Sequence, residues 1–286
     1  MSAVSKWSLV PAYDRVLVTG GGTGIGRALA LAIADLGCTT YVVGRTRATL
    51  EATAERGAGL AGRIEPIQCD LRDAAAVDQA LGQIEVDGGP VQALAHCAAS
   101  VYSSPATAIS PEGFERVVAS TLIAGFVVIH RVASRLIEAG LTGSIVSLTS
   151  ATARLGAPGM AHGSAGKAGL EALTKALARE WGPFGLRLNT VGPGAFPVEN
   201  SAEIWDREEV HAHMQRMIAL GRYGTLDEIV GPILFLLSVH GAYVTGETLV
   251  VDGGLKLLDW IVEPPHLNVQ AEAPSVPTES RAQSRP

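Results

Sequence analysis

The sequence predicts an α/β fold in which a doubly wound, parallel, seven-stranded sheet carries helices on both faces. Short runs rich in apolar and β-branched residues alternate with longer helical stretches along the chain. Most of the short runs are apolar throughout, which is typical of parallel strands that are buried on both faces. A regular alternation of strand and helix indicates βαβ units, whose strands lie side by side in one sheet.

Seven strands and five helices are predicted in order along the chain. The strands are expected at residues 15–19, 39–43, 64–68, 91–96, 144–148, 186–190 and 248–251. The helices are expected at residues 25–36, 74–85, 114–138, 164–181 and 226–238. No repeat or linker interrupts this pattern, so we predict one domain over residues 14–262 after an N-terminal extension at 1–13. We expect residues 263–286 to be a disordered tail because they are proline-rich and polar.

The composition excludes several classes of function. Of the 286 residues, 47% are hydrophobic and 17% are charged, and the formal net charge is −6 at pH 7. A net negative charge disfavours nucleic acid and anionic membrane surfaces as partners, so we expect neither. The three cysteines lack the spacing of a metal site, so we expect no metal and a reducing compartment. We find no secretory signal and predict a cytoplasmic protein.

A glycine-rich turn follows the first predicted strand and opens the first helix. It reads Thr-Gly-Gly-Gly-Thr-Gly-Ile-Gly at residues 19–26. Glycines allow a backbone to approach a pyrophosphate closely, and a helix N-terminus offers unpaired N–H groups and positive potential. In this position the turn predicts a Rossmann-type fold that binds a dinucleotide, whereas close packing of helix on strand is the alternative. The predicted cofactor contacts in the turn are Gly20, Thr23, Gly24, Ile25 and Gly26.

The end of the second strand predicts which dinucleotide binds. Proteins that bind NAD commonly place an acidic residue here, where it accepts hydrogen bonds from the ribose hydroxyls. In this sequence Arg45 follows the strand, Arg47 comes close behind, and no acidic residue occurs before Glu51. Because a guanidinium suits a phosphate, we predict NADP(H) as the cofactor and Arg45 as the contact to its 2′-phosphate. The alternative is that Arg45 only begins a solvated helix.

Later strands are followed by further motifs that resemble those of the short-chain dehydrogenase/reductases over residues 16–258. These are Cys-Asp-Leu at 69–71, His-Cys-Ala-Ala at 96–99, Asn-Thr-Val-Gly-Pro-Gly at 189–194 and Val-Asp-Gly-Gly at 251–254. The resemblance implies that Asp70 contacts the adenine and that Phe196 lies beside the carboxamide. The other cofactor contacts implied in this way are Leu71, Cys97, Ala98, Lys167, Pro193 and Gly194.

The catalytic residues depart from this family at two positions. The resemblance implies a Ser after the fifth strand, a Tyr four residues before a Lys, and an Asn on the long helix. Ser150 and Lys167 match, but Gly163 occupies the position of the Tyr and Thr121 that of the Asn. The ordinary reduction of a carbonyl, in which the Tyr protonates the oxygen, is therefore in question.

Two polar residues at the start of the helix that carries Lys167 are further catalytic candidates. His162 and Ser164 lie on either side of Gly163. Each has a simpler alternative, because His162 could be satisfied by the backbone and Ser164 could be a helix N-cap. We predict Ser150, Lys167, His162 and Ser164 as the catalytic set.

One branch of the family, the NADPH-dependent 2,4-dienoyl-CoA reductases, resembles this chain in additional motifs. They are Gly-Gly-Gly-Thr-Gly at 20–24, Arg45, Gln-Cys-Asp at 68–70, Ala-Ala at 98–99 and Glu-Trp-Gly at 180–182. This resemblance implies reduction of an enoyl- or dienoyl-CoA thioester by hydride transfer. The dienolate that develops is stabilised by hydrogen-bond donors and needs a proton. Two alternatives stay open: a carbonyl or imine reductase with a substitute proton donor, and a catalytically degenerate NADP-binding or regulatory protein.

The family resemblance also implies a substrate lid and an assembly. Residues 196–220 correspond to the lid, in which Trp205, Met214 and Met217 are apolar candidates for lining a tunnel. The Lys167 helix and the long helix before it correspond to a subunit interface. We therefore expect a homo-oligomer, either a dimer or a tetramer, that acts on a small-molecule substrate.

Overall fold

The sheet has seven strands in the order β3–β2–β1–β4–β5–β6–β7, and all of its pairings are parallel. The computed structural model of the chain describes residues 9–86, 88–199 and 207–257. The strands are β1 Arg15–Thr19, β2 Thr39–Gly44, β3 Arg63–Gln68, β4 Ala93–His96, β5 Gly143–Leu148, β6 Leu186–Pro193 and β7 Thr248–Val251. This order is that of a doubly wound Rossmann-type sheet and confirms the predicted fold.

Nine α-helices connect and flank these strands within the described residues. They are α1 Gly24–Asp35, α2 Arg47–Arg56, α3 Ala74–Val86, α4 Pro111–Val118, α5 Ala124–Glu138, α6 Thr152–Leu155, α7 Ala161–Trp181, α8 Glu208–Met217 and α9 Leu226–Leu237. One turn of π-helix, Ala119–Ile123, joins α4 to α5. The proposed tail at 263–286 and Trp205 lie outside the described residues.

The core has two layers, one on each face of the sheet. On one face Leu17 and Ile145 pack with residues of α3, α5 and α7, among them Ile129. On the other face Val16 and its strand neighbours pack with residues of α1 and α9, among them Ile33. Both faces of the central strands are therefore buried, which explains why these strands read as continuous apolar runs.

The long helix predicted at 114–138 begins earlier than expected and is interrupted. Ser110 is its N-cap, because its Oγ accepts a hydrogen bond from the Gly113 N–H at 3.1 Å, and Pro111 follows at the first helical position. Pro is well suited to this position, because the backbone N–H of the first helical residue has no hydrogen-bond acceptor within the helix. The combined stretch Pro111–Glu138 is long and apolar enough to cross a membrane, since an 18-residue window within it has a mean hydropathy of 1.8. Its residues Val128 and Leu136, however, are buried in the core against the sheet.

Helix α7 also begins before its predicted start. It starts at Ala161 after Met160, so Ser164 lies inside the first turns and the alternative that it is the N-cap is wrong. This early start places His162, Gly163, Gly166 and Lys167 on the buried side of one helix.

Candidate cofactor and active site

A cleft of about 350 Å³ opens at the carboxyl ends of β1, β2, β3 and β4. It lies at the point where the strand order reverses between β1 and β4, which is where ligands bind in open α/β sheets. Its lining includes the predicted cofactor contacts Gly20, Thr23, Arg45, Asp70, Leu71 and Ala98. The structure thus brings together, in one cleft, residues that are separated by up to about a quarter of the chain.

The glycine-rich turn has a backbone shape that larger residues would disrupt. Gly20 and Gly24 have φ angles of +68° and +53°, in the left-handed region that favours glycine. A Cβ on Gly20 would lie 2.9 Å from the backbone nitrogen of Ala98. A Cβ on Gly26 would collide with the carbonyl oxygen of Gly20. The turn is therefore held close to the end of β4, and helix α1 with Ile25 starts directly from it.

Arg45 projects at the rim of the cleft with its charge available. Among the described residues its guanidinium forms no hydrogen bond or ion pair, and only its carbonyl is engaged, accepting from Gln68 Nε2 at 2.9 Å. Arg47, by contrast, donates to Glu51 Oε1 at 2.7 Å, four residues later on α2. A phosphate in the cleft would therefore find one unpaired guanidinium at the end of β2, and the residues present fit the 2′-phosphate of NADP.

The cleft is also lined by a second guanidinium, that of Arg72, which is not among the site residues predicted from the sequence. Its Nη2 and Nε donate to the two carboxylate oxygens of Asp70 at 2.6 and 3.0 Å. This fork of hydrogen bonds lowers the pKa of Asp70 to about 2, so the carboxylate stays ionised. An Arg two residues after the Asp, in the loop that follows β3, is the signal that could have identified it.

The end of β4 carries a buried histidine that the sequence analysis did not single out. His96 Nδ1 lies 2.9 Å from Thr19 Oγ1, which also accepts from the Ala98 N–H at 3.3 Å. Burial, with a smaller contribution from the charge of Lys167, lowers the pKa of His96 to about 3. Burial also raises the pKa of Cys97 to about 12, against the opposing effect of Lys167. Both groups are therefore neutral near pH 7, and the backbone N–H of Ala98 is held by Thr19 Oγ1.

Lys167 is the buried cation of the site. Its Nζ donates to the carbonyl oxygen of Leu148, the last residue of β5, at 2.5 Å. The residue is only 8% exposed, and burial lowers the pKa of Lys167 to about 8 while Cys97 opposes the shift. Helix α7 thus holds a cation at the carboxyl edge of the sheet, behind the cleft.

Ser150 lies on the loop between β5 and α6, two residues beyond the carbonyl that Lys167 contacts. Its Oγ is 2.8 Å from Thr152 Oγ1 and accepts from the Thr152 N–H at 3.2 Å. The next residue is tied to β6, because the Ala151 N–H donates to the carbonyl of Pro193 at 2.9 Å. Ser150, Lys167 and Pro193 therefore converge on the same edge of the sheet.

The chain beyond Pro193 leads to a smaller cavity of about 110 Å³. Gly194 packs against Asp252 so closely that a Cβ would lie 2.6 Å from its Cα. The buried ring of Phe196 lines this second cavity together with Ile218 and Leu220. The described part of the predicted lid thus packs apolar residues beside Phe196.

At Gly163, the position where the resemblance implies a Tyr, the neighbouring loop occupies the space. A Cβ on this glycine would lie 3.2 Å from Val101 Cγ1 and 3.4 Å from Met160 Cε. The next loop residue, Tyr102, contacts the ring of His162 edge-on, with 4.5 Å between centroids. The loop after β4 therefore packs against the start of α7, where a Tyr side chain would need room.

His162 is fully buried at this contact. Its Nδ1 accepts a hydrogen bond from the Gly163 N–H at 2.9 Å, so the proton of the neutral ring is on Nε2. Within the described residues, His162 Nε2 and the Oγ of Ser164 are buried and have no hydrogen-bond partner. The backbone accordingly satisfies one nitrogen of His162 and leaves a buried donor on the other.

Thr121, at the position where the resemblance implies an Asn, lies in the π-helical turn and is fully buried. Its Oγ1 has no partner among the described residues. A Cβ added to Gly166 would lie 3.2 Å from the Cβ of Thr121. The π-helical turn and α7 therefore approach each other closely one residue before Lys167. Among the described residues no group of three or more His, Cys, Asp or Glu could hold a metal ion.

Comparison with known proteins relates this site to a large group of oxidoreductases. Residues 20–256 match the family described as Enoyl-(Acyl carrier protein) reductase. The chain is 32% identical over 241 residues to a probable 2,4-dienoyl-CoA reductase of Bacillus subtilis (strain 168), covering 84% of this chain and 95% of that protein. It is 35% identical over 240 residues to the D-erythrulose reductase of Gallus gallus, covering 84% and 94%.

Solved structures agree with these relatives. A short-chain type dehydrogenase/reductase from Mycobacterium marinum superposes with a TM-score of 0.83 at 30% identity, covering 87% of this chain and 98% of that one. A gluconate 5-dehydrogenase from Burkholderia cenocepacia J2315, solved in complex with NADP and tartrate, superposes with a TM-score of 0.82 at 28% identity, covering 88% and 98%.

Proposed function

The chain belongs to the short-chain dehydrogenase/reductase family, and we propose that it is an NADPH-dependent reductase of 2-enoyl- or 2,4-dienoyl-CoA thioesters. We infer the substrate class from the arrangement of residues around Gly163. Lys167 and Ser150 hold their places at the carboxyl edge of the sheet, while Val101 packs where a Tyr would begin. Relatives that reduce dienoyl-CoA thioesters, by their names, support the same class.

The choice of NADP over NAD rests on Arg45. Its guanidinium is unpaired within the described residues, while the nearby Arg47 is engaged by Glu51. The glycine cradle at Gly20 and Gly26 admits a pyrophosphate close to the start of α1. The complex of a related gluconate 5-dehydrogenase with NADP is consistent with this cofactor.

This reaction depends on stabilising the negative charge of the dienolate more than on a Tyr that protonates one oxygen. When bound, NADPH supplies a hydride to the far end of the conjugated thioester, and the substrate gains one proton to complete the reduction. The negative charge that develops is spread over the dienolate and its thioester oxygen, where positioned donors lower the barrier. Ser150 would donate its hydroxyl to that oxygen, and Lys167 would hold the nicotinamide ribose and supply positive charge. His162 Nε2–H and Ser164 are the candidate groups for moving the proton.

A carbonyl reductase is the second candidate, and His162 is the observation that favours it. A buried Nε2–H without a partner among the described residues is a proton donor at the position next to Gly163. The D-erythrulose reductase relative is named for a carbonyl substrate of this type. In this reaction His162 would replace the missing Tyr.

The two candidates are separated by a substrate panel followed at the absorbance band of NADPH. We expect turnover of 2,4-dienoyl- or 2-enoyl-CoA thioesters, no turnover of simple ketones, and a deuterium label transferred from C4-labelled NADPH to the thioester product by mass spectrometry. Ser150→Ala should lower thioester turnover by about 10²–10³-fold if its hydroxyl stabilises the oxyanion. Ser104→Ala, in the loop after β4, is the matched control.

The opposite results are equally informative. Reduction of ketones without reduction of thioesters would replace the first candidate by the second. Tight binding of NADPH with no turnover of either class would identify a degenerate binding or regulatory protein.

A further inference from the structure

A carboxylate from the chain itself lies at the phosphate-binding end of α1. Glu199 Oε2 accepts a hydrogen bond from the Gly24 N–H at 3.3 Å, and Oε1 accepts from Arg27 Nη1 at 2.5 Å. The residue before it, Val198, packs over Gly24, with its Cγ1 3.3 Å from where a Cβ would lie. The segment that follows Phe196 therefore returns to the glycine-rich turn.

These donors belong to the anion-binding part of the turn. Gly24 is the first residue of α1, so its N–H has no partner in the helix and lies where the positive potential of the helix is greatest. Arg27 is fixed in place, because its Nε and Nη2 donate to the carbonyl of Gly22 at 3.0 and 2.6 Å. A pyrophosphate approaching this turn needs the same N–H group and meets the same guanidinium.

The ion pair is one that a ligand can displace. The side chain of Arg27 is 11% exposed, but that of Glu199 is 58% exposed. An ion pair with one well-solvated partner contributes little to stability. The carboxylate can therefore leave without disturbing the turn, whereas Arg27 stays with Gly22.

We propose that Glu199 is a built-in competitor for the pyrophosphate of the dinucleotide and thereby sets cofactor affinity. The inference rests on the proposed cofactor site. In the free protein the carboxylate takes the two positive groups, and a pyrophosphate displaces it by charge repulsion and by occupying the Gly24 N–H. The competition acts on every ligand that carries a phosphate at this turn and leaves the 2′-phosphate contact at Arg45 unaffected.

The experiment is a calorimetric titration of the full chain and of Glu199→Gln with three ligands. NADP⁺ and ADP carry a pyrophosphate, whereas adenosine 2′-monophosphate reaches only the Arg45 end of the cleft. We expect Glu199→Gln to bind NADP⁺ and ADP about three- to tenfold more tightly, with the gain reduced in high salt. The affinity for adenosine 2′-monophosphate should not change.

The matched control is Glu55→Gln, which removes one negative charge from an exposed residue near the end of α2. It should leave all three affinities unchanged. Weaker or equal binding of NADP⁺ by Glu199→Gln would overturn the inference, as would an equal gain for adenosine 2′-monophosphate. Failure of the unaltered protein to bind any of the three ligands would instead overturn the proposed cofactor site itself.

Discussion

At the scale of single residues, the charged side chains that line the cleft differ in whether a neighbouring side chain already holds them. Arg45 is unpaired within the described residues and lines the cleft, whereas Asp70 and Arg72 are joined to each other by two hydrogen bonds. His96 and Cys97 are kept neutral by burial, and His96 Nδ1 lies 2.9 Å from Thr19 Oγ1 at the end of β1. Among the described residues that line the cleft, the charge without an ion-pair partner is thus that of Arg45.

The selectivity for NADPH is predicted to depend on Arg45. Arg45→Asp should weaken NADPH binding by about 10- to 100-fold, because a charge-assisted contact to the 2′-phosphate contributes about 1.5–3 kcal/mol. The same change should affect NADH much less, and fluorescence titration with both cofactors measures the ratio. Arg47→Asp is the control, since Glu51 already holds that guanidinium. Equal affinity of the unaltered protein for NADPH and NADH would contradict the assignment.

At the scale of elements, the sequence predicts what is decided locally and misses what is decided by contacts across the fold. The strands are predicted closely where burial on both faces leaves a continuous apolar run, as in β1, whose bounds agree. The bounds of β7 also agree, although this strand lies at the edge of the sheet and is only partly buried. Helix α2 was not predicted, because only Leu50 and Thr53 of its ten residues are buried and the apolar period is weak. The polar helix α8 was missed for the same reason, since none of its residues is buried.

The candidate site divides in the same way. The glycine turn, Arg45 and Lys167 could be predicted because each follows a strand or lies at fixed spacing in a motif. The contact of Glu199 with Gly24 joins residues 175 positions apart, and no local pattern carries that information. Likewise, the sequence reveals that Gly163 lacks a side chain but not that Val101 packs beside it.

The start of α7 and the loop after β4 are predicted to act together against ordinary ketone reduction. Gly163→Tyr alone should give little gain, because its Cβ would lie 3.2 Å from Val101 Cγ1, which has to shift to admit the larger side chain. Combining it with Val101→Ala should make room for the phenol near Lys167 and produce measurable reduction of a ketone panel by NADPH. Gly163→Phe with Val101→Ala is the matched control, since it fills the same space without a hydroxyl. If the Tyr double variant folds, binds NADPH and reduces no ketone, Thr121 is the next residue to test.

At the scale of the whole molecule, the two core layers place the cleft and Lys167 at one edge of the sheet and leave apolar side chains outside. Phe114, Ile123 and Phe126 belong to the α4–α5 segment and are 40–50% exposed. Exposed large apolar side chains that recur along one segment are consistent with an interface at that segment. Helix α5, which carries Phe126, is one of the two helices, together with α7, that the family resemblance assigns to subunit contact.

We therefore expect the protein to be a homo-oligomer that buries this surface. Light scattering coupled to size-exclusion chromatography should give a mass of two or four times 29.6 kDa. Phe126→Glu, which places a charge in the interface, should shift the mass toward that of one chain, because burying an unpaired charge is strongly unfavourable. Phe184→Glu is the control, since that ring is 53% exposed in the 3₁₀ turn that follows α7.

A protein that elutes as a single chain at micromolar concentration would contradict the expectation, and an oligomer unaffected by Phe126→Glu would place the interface elsewhere. Because α7 also carries Lys167, loss of the interface should loosen the active-site helix and lower cofactor affinity together with the mass.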